Sequence, residues 1–211
     1  MTSVDPKPQA FEFGLKYGSP ATVSLIVLLL AVFSYQACLA SSSNFDEFVR
    51  LWGCLPEAVW QGQLWRPVTA GFIHLDAEHF LGNAIMLYIA GIGVEHGVGA
   101  KKTVAIFVVP AVLGNVASLF TEQDVVHLGA SGGVFALIGA LIAFLYLYRE
   151  RYYVRDKRIG IVFLIWSLYS IVTAAFVPGV DNTAHVIGFI AGAGMVWMFW
   201  RKGIKEVRDG R

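Results

Sequence analysis

The sequence predicts an all-α polytopic membrane protein: a bundle of six transmembrane helices with one long, half-embedded loop after the first. Three observations predict it. Of the 211 residues, 56% are hydrophobic and only 15% charged, against roughly 25% charged in an ordinary soluble domain. The apolar residues are gathered into runs long enough to cross a bilayer, which takes about 20 helical residues. The longest connection between runs, 41–77, carries Phe45, Phe48, Trp52, Trp60 and Trp65, aromatic side chains of the kind that collect at the membrane–water interface.

Taken in order, the run 21–40 is free of charged residues, and so are 103–120, 128–148, 159–177 and 183–200. A shorter run, 80–94, is flanked by Glu78 and Glu95. The spans are drawn at 21–40, 79–97, 103–120, 129–148, 159–177 and 183–200. They form one membrane domain over 20–200, preceded by a short segment 1–19 and followed by a basic tail 201–211. The first 19 residues are polar or irregular, with Pro6, Pro8, Gly14 and Gly18, so the reading expects no cleavable signal peptide.

The net charge of +1 points away from nucleic acid, but the distribution of charge is informative. Lys and Arg cluster in alternate loops, above all at Arg149–Arg158 and from Arg201 onward. With both termini cytoplasmic, 14 basic residues lie inside and 2 outside, the asymmetry that orients membrane proteins. Cys38 then lies at the outer end of the first span and Cys54 in the outer loop, where pairing and two free thiols are equally open readings.

Hydrogen-bonding side chains inside hydrocarbon are costly unless partnered, so they are candidates for function. The candidates singled out in the spans are His79 and Asn83, Asn115 and Ser118, Ser131, and His185. No span contains an aspartate, so a paired-carboxylate mechanism is excluded. His74-Leu-Asp-Ala-Glu78-His79 has the wrong spacing for the HExxH zinc motif. No metal and no cofactor is expected. A serine with a histidine remains.

Ser131 lies in Gly129-Ala-Ser-Gly132-Gly, where an outer loop enters the fourth span. Glycines permit a tight turn, and the first amides of a helix lack intrahelical partners. A hydroxyl there can attack a carbonyl while amides receive the developing charge. The competing reading is small-residue helix packing. His185 shares a helix face with Gly188 and Gly192 at i+3 and i+7, and Gly132, Ala136 and Ala140 offer a matching face on the fourth span. Docking these faces would bring hydroxyl and imidazole together, as a base-activated serine requires. His79 and Asn83, at i and i+4, share a face of the second span and are candidate oxyanion donors. Interhelical polar contacts are the competing reading for either alone.

These residues resemble the rhomboid protease family from residue 65 to 192. Trp65-Arg66 looks like its loop motif, and His74-x4-His79-x3-Asn83 its second-helix signature. Gly91-x3-Glu95-x3-Gly99 resembles the end of that helix, Gly129-Ala-Ser131-Gly132 the GxSG motif, and Ala184-His185-x2-Gly188-x3-Gly192 the last-helix pattern. The resemblance implies a rhomboid-like six-span bundle and a serine endopeptidase that cleaves transmembrane segments of membrane proteins. It implies a Ser131–His185 dyad without a third carboxylate, an acyl-enzyme on Ser131, and an oxyanion held by His79, Asn83 and the Ser131 amide. His74 would support the site, and Arg66, Trp65 and Glu95 would be structural. One departure stands out: Phe135 occupies the position where many members carry a tyrosine against the catalytic histidine. Two other classes compete with this reading. A rhomboid-like protein that binds and routes membrane clients without catalysis has usually lost the serine or the histidine. A channel or transporter would be expected to show charged span interiors or inverted repeats. The short length and absence of a transit peptide point to a bacterial inner membrane.

Overall fold

The computed structural model describes residues 18–39, 44–121, 125–149, 154–177 and 179–208, with side chains except at 44, 154–157 and 200–208. Residues 1–17 of the expected cytoplasmic segment, Ala40 at the end of the first expected span and 209–211 of the tail lie outside it. Nine α-helices are described: α1 (Pro20–Leu39), α2 (Asn44–Trp52), α3 (Pro56–Trp60), α4 (Arg66–Thr69), α5 (Ala77–Val98), α6 (Ala100–Ser118), α7 (Ser131–Leu147), α8 (Val154–Ala174) and α9 (Asn182–Arg208). Among the described residues the only extended pairing is an isolated antiparallel bridge between Cys54 and His127. The chain is an all-α polytopic membrane protein.

Helix limits depart from the apolar runs for identifiable reasons. Gly129 has φ +115°, outside the helical region, so α7 starts at Ser131 rather than at the 129 expected from the run. α6 begins before Lys101, α8 before its apolar run, and α9 continues through the basic residues after Trp200. Lys and Arg are good helix formers, so a helix does not stop where its apolarity does. By length and hydropathy α1, α5, α6 and the stretch Asn182–Phe199 of α9 can each cross a membrane, whereas the apolar parts of α7 and α8 are shorter.

α7 is the axis of the bundle. Every residue from Gly132 to Leu141 is buried, and the helix packs against α5, α6, α8 and most extensively α9. A helix that is apolar all round belongs inside its neighbours. The outer helices show lipid the reverse pattern: Val27, Leu30, Ile85, Ile165 and Leu168 are exposed. Lipid tails are as apolar as these side chains, so close packing must hold the helices together. An ideal Cβ at Gly188 would overlap the Gly132 carbonyl oxygen, and one at Gly192 that of Ala136. Here the backbones of α7 and α9 touch.

Two polar contacts fix the periphery. The buried Glu95 carboxylate of α5 accepts hydrogen bonds from Ala21 N (2.9 Å), Thr22 N (2.8 Å) and Thr22 Oγ1 (2.7 Å). It supplies the acceptor that the first turn of α1 lacks. Arg66 holds the first loop, donating from Nη1 to the carbonyls of Arg50 (2.5 Å) and Gly53 (2.7 Å) and from Nε to Gln63 Oε1 (2.7 Å). The loop is thus three short helices rather than an unstructured connection. Trp52, Trp60, Leu64 and Trp65 are exposed on it. Cys38 is exposed, Cys54 is buried, and both thiols are free.

Candidate active site

The site grows from the turn into α7. Gly129 adopts its positive φ because no side chain is present, and a Cβ there would lie 2.7 Å from His79 Cε1 and 2.9 Å from Nε2. Backbone conformation and the neighbouring ring both require glycine. Its amide donates to the Ala70 carbonyl (2.9 Å), which ties the turn to the first loop. The first bond of α7 runs from Val134 N to Ala130 O (3.0 Å), so the amides ahead of it have no intrahelical acceptor. Ser131 is the first residue of the helix, half-buried at this positive end.

His185 is in the first turn of α9, and its Nε2 lies 2.9 Å from Ser131 Oγ. Phe135, one turn below Ser131, stacks on the imidazole with centroids 4.4 Å apart and planes 18° from parallel. Trp166 of α8 stacks on the far side of Phe135 at 5.8 Å. Nδ1 of His185 is buried without a hydrogen-bond partner among the described residues. Packing, not a carboxylate, therefore orients this ring.

His79 and Asn83 line the same cavity, of about 710 Å³, as Ser131 and His185. Asp76 caps α5 by accepting from His79 N (2.8 Å). The Asn83 side chain donates one hydrogen to the His79 carbonyl (3.1 Å), which leaves its second N–H for other partners. His74 stands behind the site. Its ring meets His79 edge-on at 5.1 Å, and its backbone exchanges bonds with the Gln36 side chain of α1 (2.9 and 3.2 Å).

Burial, assisted by His79, pushes the His74 imidazole down from 6.5 to about 4. Between those values the unfolded chain binds the extra proton and the folded one does not, so acidification favours unfolding. Thermal melts in micelles should show wild type losing stability from pH 6.5 towards pH 4 more steeply than His74→Gln. Parallel curves would exclude this role for His74.

Several site contacts were not foreseen. Asp181, at the head of α9, accepts from Ser118 Oγ (2.6 Å) and Ala184 N (2.9 Å), and its Oδ2 lies 2.8 Å from His127 Nδ1. Burial alone would raise its carboxyl, but the bonds from His127, Ser118 and Ala184 outweigh that and hold it below its ordinary 3.8. Burial also pushes the Cys54 thiol up to about 12 and lowers the Arg66 guanidinium from its ordinary value. Of the span residues singled out from sequence, Ser118 is thus bonded to Asp181, and Asn115 donates to the Pro67 carbonyl (2.7 Å). Trp65 is exposed on the first loop, and Glu95 is occupied at α1. Asp181 and His127 lie outside the expected spans, and Gln36 lies inside the first; the signals in the sequence were the polar Gln36 within an apolar run and the position of Asp181 ahead of the His185 helix, that of an N-cap.

The family model for the Rhomboid domain matches residues 61–202. The chain is similar to Rhomboid-like protease 2 of Toxoplasma gondii, at 30% identity over 201 residues, covering 91% of this chain and 70% of that protein. It is also similar to RHOMBOID-like protein 7 of Arabidopsis thaliana (29%; 72% of this chain, 47% of that one). A third relative is Rhomboid protease GluP of Bacillus subtilis (27%; 83% and 34%). The chain spans less than half the length of the plant relative and about a third of the Bacillus one. With the matched segment running from the first loop into α9 and containing the whole turn around Ser131, the chain belongs to the rhomboid family.

Proposed function

We propose that this chain is an intramembrane serine endopeptidase that cleaves transmembrane segments of membrane proteins through Ser131 and His185. The observation that carries this reading is the 2.9 Å contact between Ser131 Oγ and His185 Nε2, at a helix N-terminus that lines a cavity. His185 takes the hydroxyl proton as Oγ bonds to the scissile carbonyl carbon. The carbonyl oxygen becomes an oxyanion beside the Ser131 amide, with His79 and Asn83 as further donors. His185 then protonates the departing amine, leaving an acyl-enzyme on Ser131. Water, deprotonated by the same imidazole, releases the acyl group. Phe135 in place of a tyrosine keeps the stacking contact on His185, so the imidazole is packed without a phenol hydroxyl beside it.

The cavity lies between α5, which contributes Gly82, Asn83 and Met86, and α8, which contributes Trp166. A substrate helix must expose its carbonyls there, which an intact helix hides in its own hydrogen bonds. Substrates are therefore segments whose helix is weak near the cut, with a small residue at the bond as the family resemblance suggests. By the distribution of Lys and Arg, both termini are cytoplasmic and the cavity opens on the outer side of a bacterial inner membrane.

The test is cleavage of a panel of single-span proteins by purified wild type and Ser131→Ala. Wild type should cut a subset and Ser131→Ala none. Equal cutting by both would refute the assignment of the nucleophile. Cutting by neither would favour a client-binding protein without catalysis.

A further inference from the structure

The contact between Ser131 and His185 has a counterpart one turn above it. His127 stands four residues before Ser131 and Asp181 four residues before His185, and His127 Nδ1 lies 2.8 Å from Asp181 Oδ2. The same two segments are thus joined by two successive rungs, an outer one bonded through a carboxylate and an inner one that carries the candidate chemistry. Both ends of the outer rung are anchored. The His127 backbone exchanges two hydrogen bonds with Cys54 (2.9 and 3.0 Å), which fixes it to the first loop. Asp181 caps α9 through Ala184 N (2.9 Å), the residue before His185, and accepts from Ser118 at the end of α6 (2.6 Å). Below this level the helices meet through the apposed glycines of α7 and α9, by contact without directionality.

We propose that Asp181 is a positioning residue: it sets the approach of His185 to Ser131 by tying the start of α9 to the segment that enters α7 and to the end of α6. It touches neither Ser131 nor His185 Nδ1, so its effect passes through the backbone and through His127. The role depends on hydrogen bonding, not on charge. Asparagine at 181 keeps acceptors for Ser118 and Ala184 and can donate to His127 in the other tautomer, and it caps helices as well as aspartate does.

This inference rests on the protease reading. Its test combines fluorophosphonate labelling of the full chain in micelles with steady-state cleavage of a fluorescent single-span peptide. Wild type, Asp181→Ala, Asp181→Asn, His127→Ala and Ser118→Ala are compared. Asp181→Ala should lower kcat by about tenfold or more with KM within about twofold, the cost of a small misplacement of reacting groups. Asp181→Asn should recover kcat to within about threefold of wild type. An unchanged kcat in Asp181→Ala, a loss carried by KM, or an asparagine no better than alanine overturns the proposal. If Asp181→Ala does not melt cooperatively, the other two alanine variants decide, and wild-type kcat in both overturns it as well. A wild type that is neither labelled nor active removes the protease reading and this inference together. A labelled, active wild type with an unaffected Asp181→Ala removes this inference alone.

Discussion

Replacing His185 by alanine is expected to lower kcat for transmembrane-peptide cleavage by on the order of 10⁴-fold or more, with the fold retained. Members of a nucleophile–base unit act together, so removing the base costs nearly as much as removing the nucleophile. Here Ser131 Oγ has His185 Nε2 as its partner at 2.9 Å, and among the described residues no carboxylate bonds to the imidazole that could be offered as a substitute. The amides at the head of α7 and the donors on α5 stay in place, which is the origin of the residual rate. The ring is stacked on Phe135, so its loss leaves a local gap and not an unpaired charge. Initial rates in micelles, beside a thermal melt, give the result. A cooperative melt with a rate within tenfold of wild type would remove His185 from the mechanism.

The second large effect concerns a single methyl group. Gly192→Ala should separate α7 from α9 and lower kcat by on the order of 10²-fold, because the added Cβ overlaps the Ala136 carbonyl oxygen, which is backbone and cannot step aside. Overfilling a tight interface typically costs about 1–3 kcal/mol, and a shift of about 1 Å between reacting groups is worth about 10²-fold in rate. Two residues along the same helix, Gly194 has nothing within 4 Å of its ideal Cβ. Gly194→Ala should be neutral or mildly stabilising, since alanine is the better helix former. Melting temperature and kcat of the pair decide the matter. Similar behaviour in both variants would mean that the α7–α9 contact does not set the geometry of the site.

Much of the architecture was legible because the bilayer imposes it. Apolar runs of the right length, and an alternation of Lys and Arg between loops, require no knowledge of tertiary contacts. The apposition of residues 131 and 185 could also be read, since glycine and alanine recur on one face of each helix and both residues sit at the same end. What could not be read were the partners in the loops. A scan for polar residues inside spans passes over Asp181 and His127, which stand just outside them, and it assigns no role to Gln36 in the first span, because its partner is the backbone of His74. Nothing in the chain order announces a bond between positions 127 and 181. Ser118 was visible as a polar residue in a span, but its meaning lay in a carboxylate 63 positions away. The three short helices of the first loop were hidden for a different reason. Their aromatic residues signal an interface, and the Arg66 bonds that fold them reach backbone carbonyls, which leave no mark on the sequence.

The 17 residues of α7, at about 1.5 Å of rise each, make a rod of roughly 25 Å. The hydrocarbon layer is about 30 Å thick. A central helix shorter than that layer favours a recess at one face, and Ser131 is its first residue. On the protease reading, the shortfall of a few ångströms would set the hydroxyl at a depth that solvent can reach from that face.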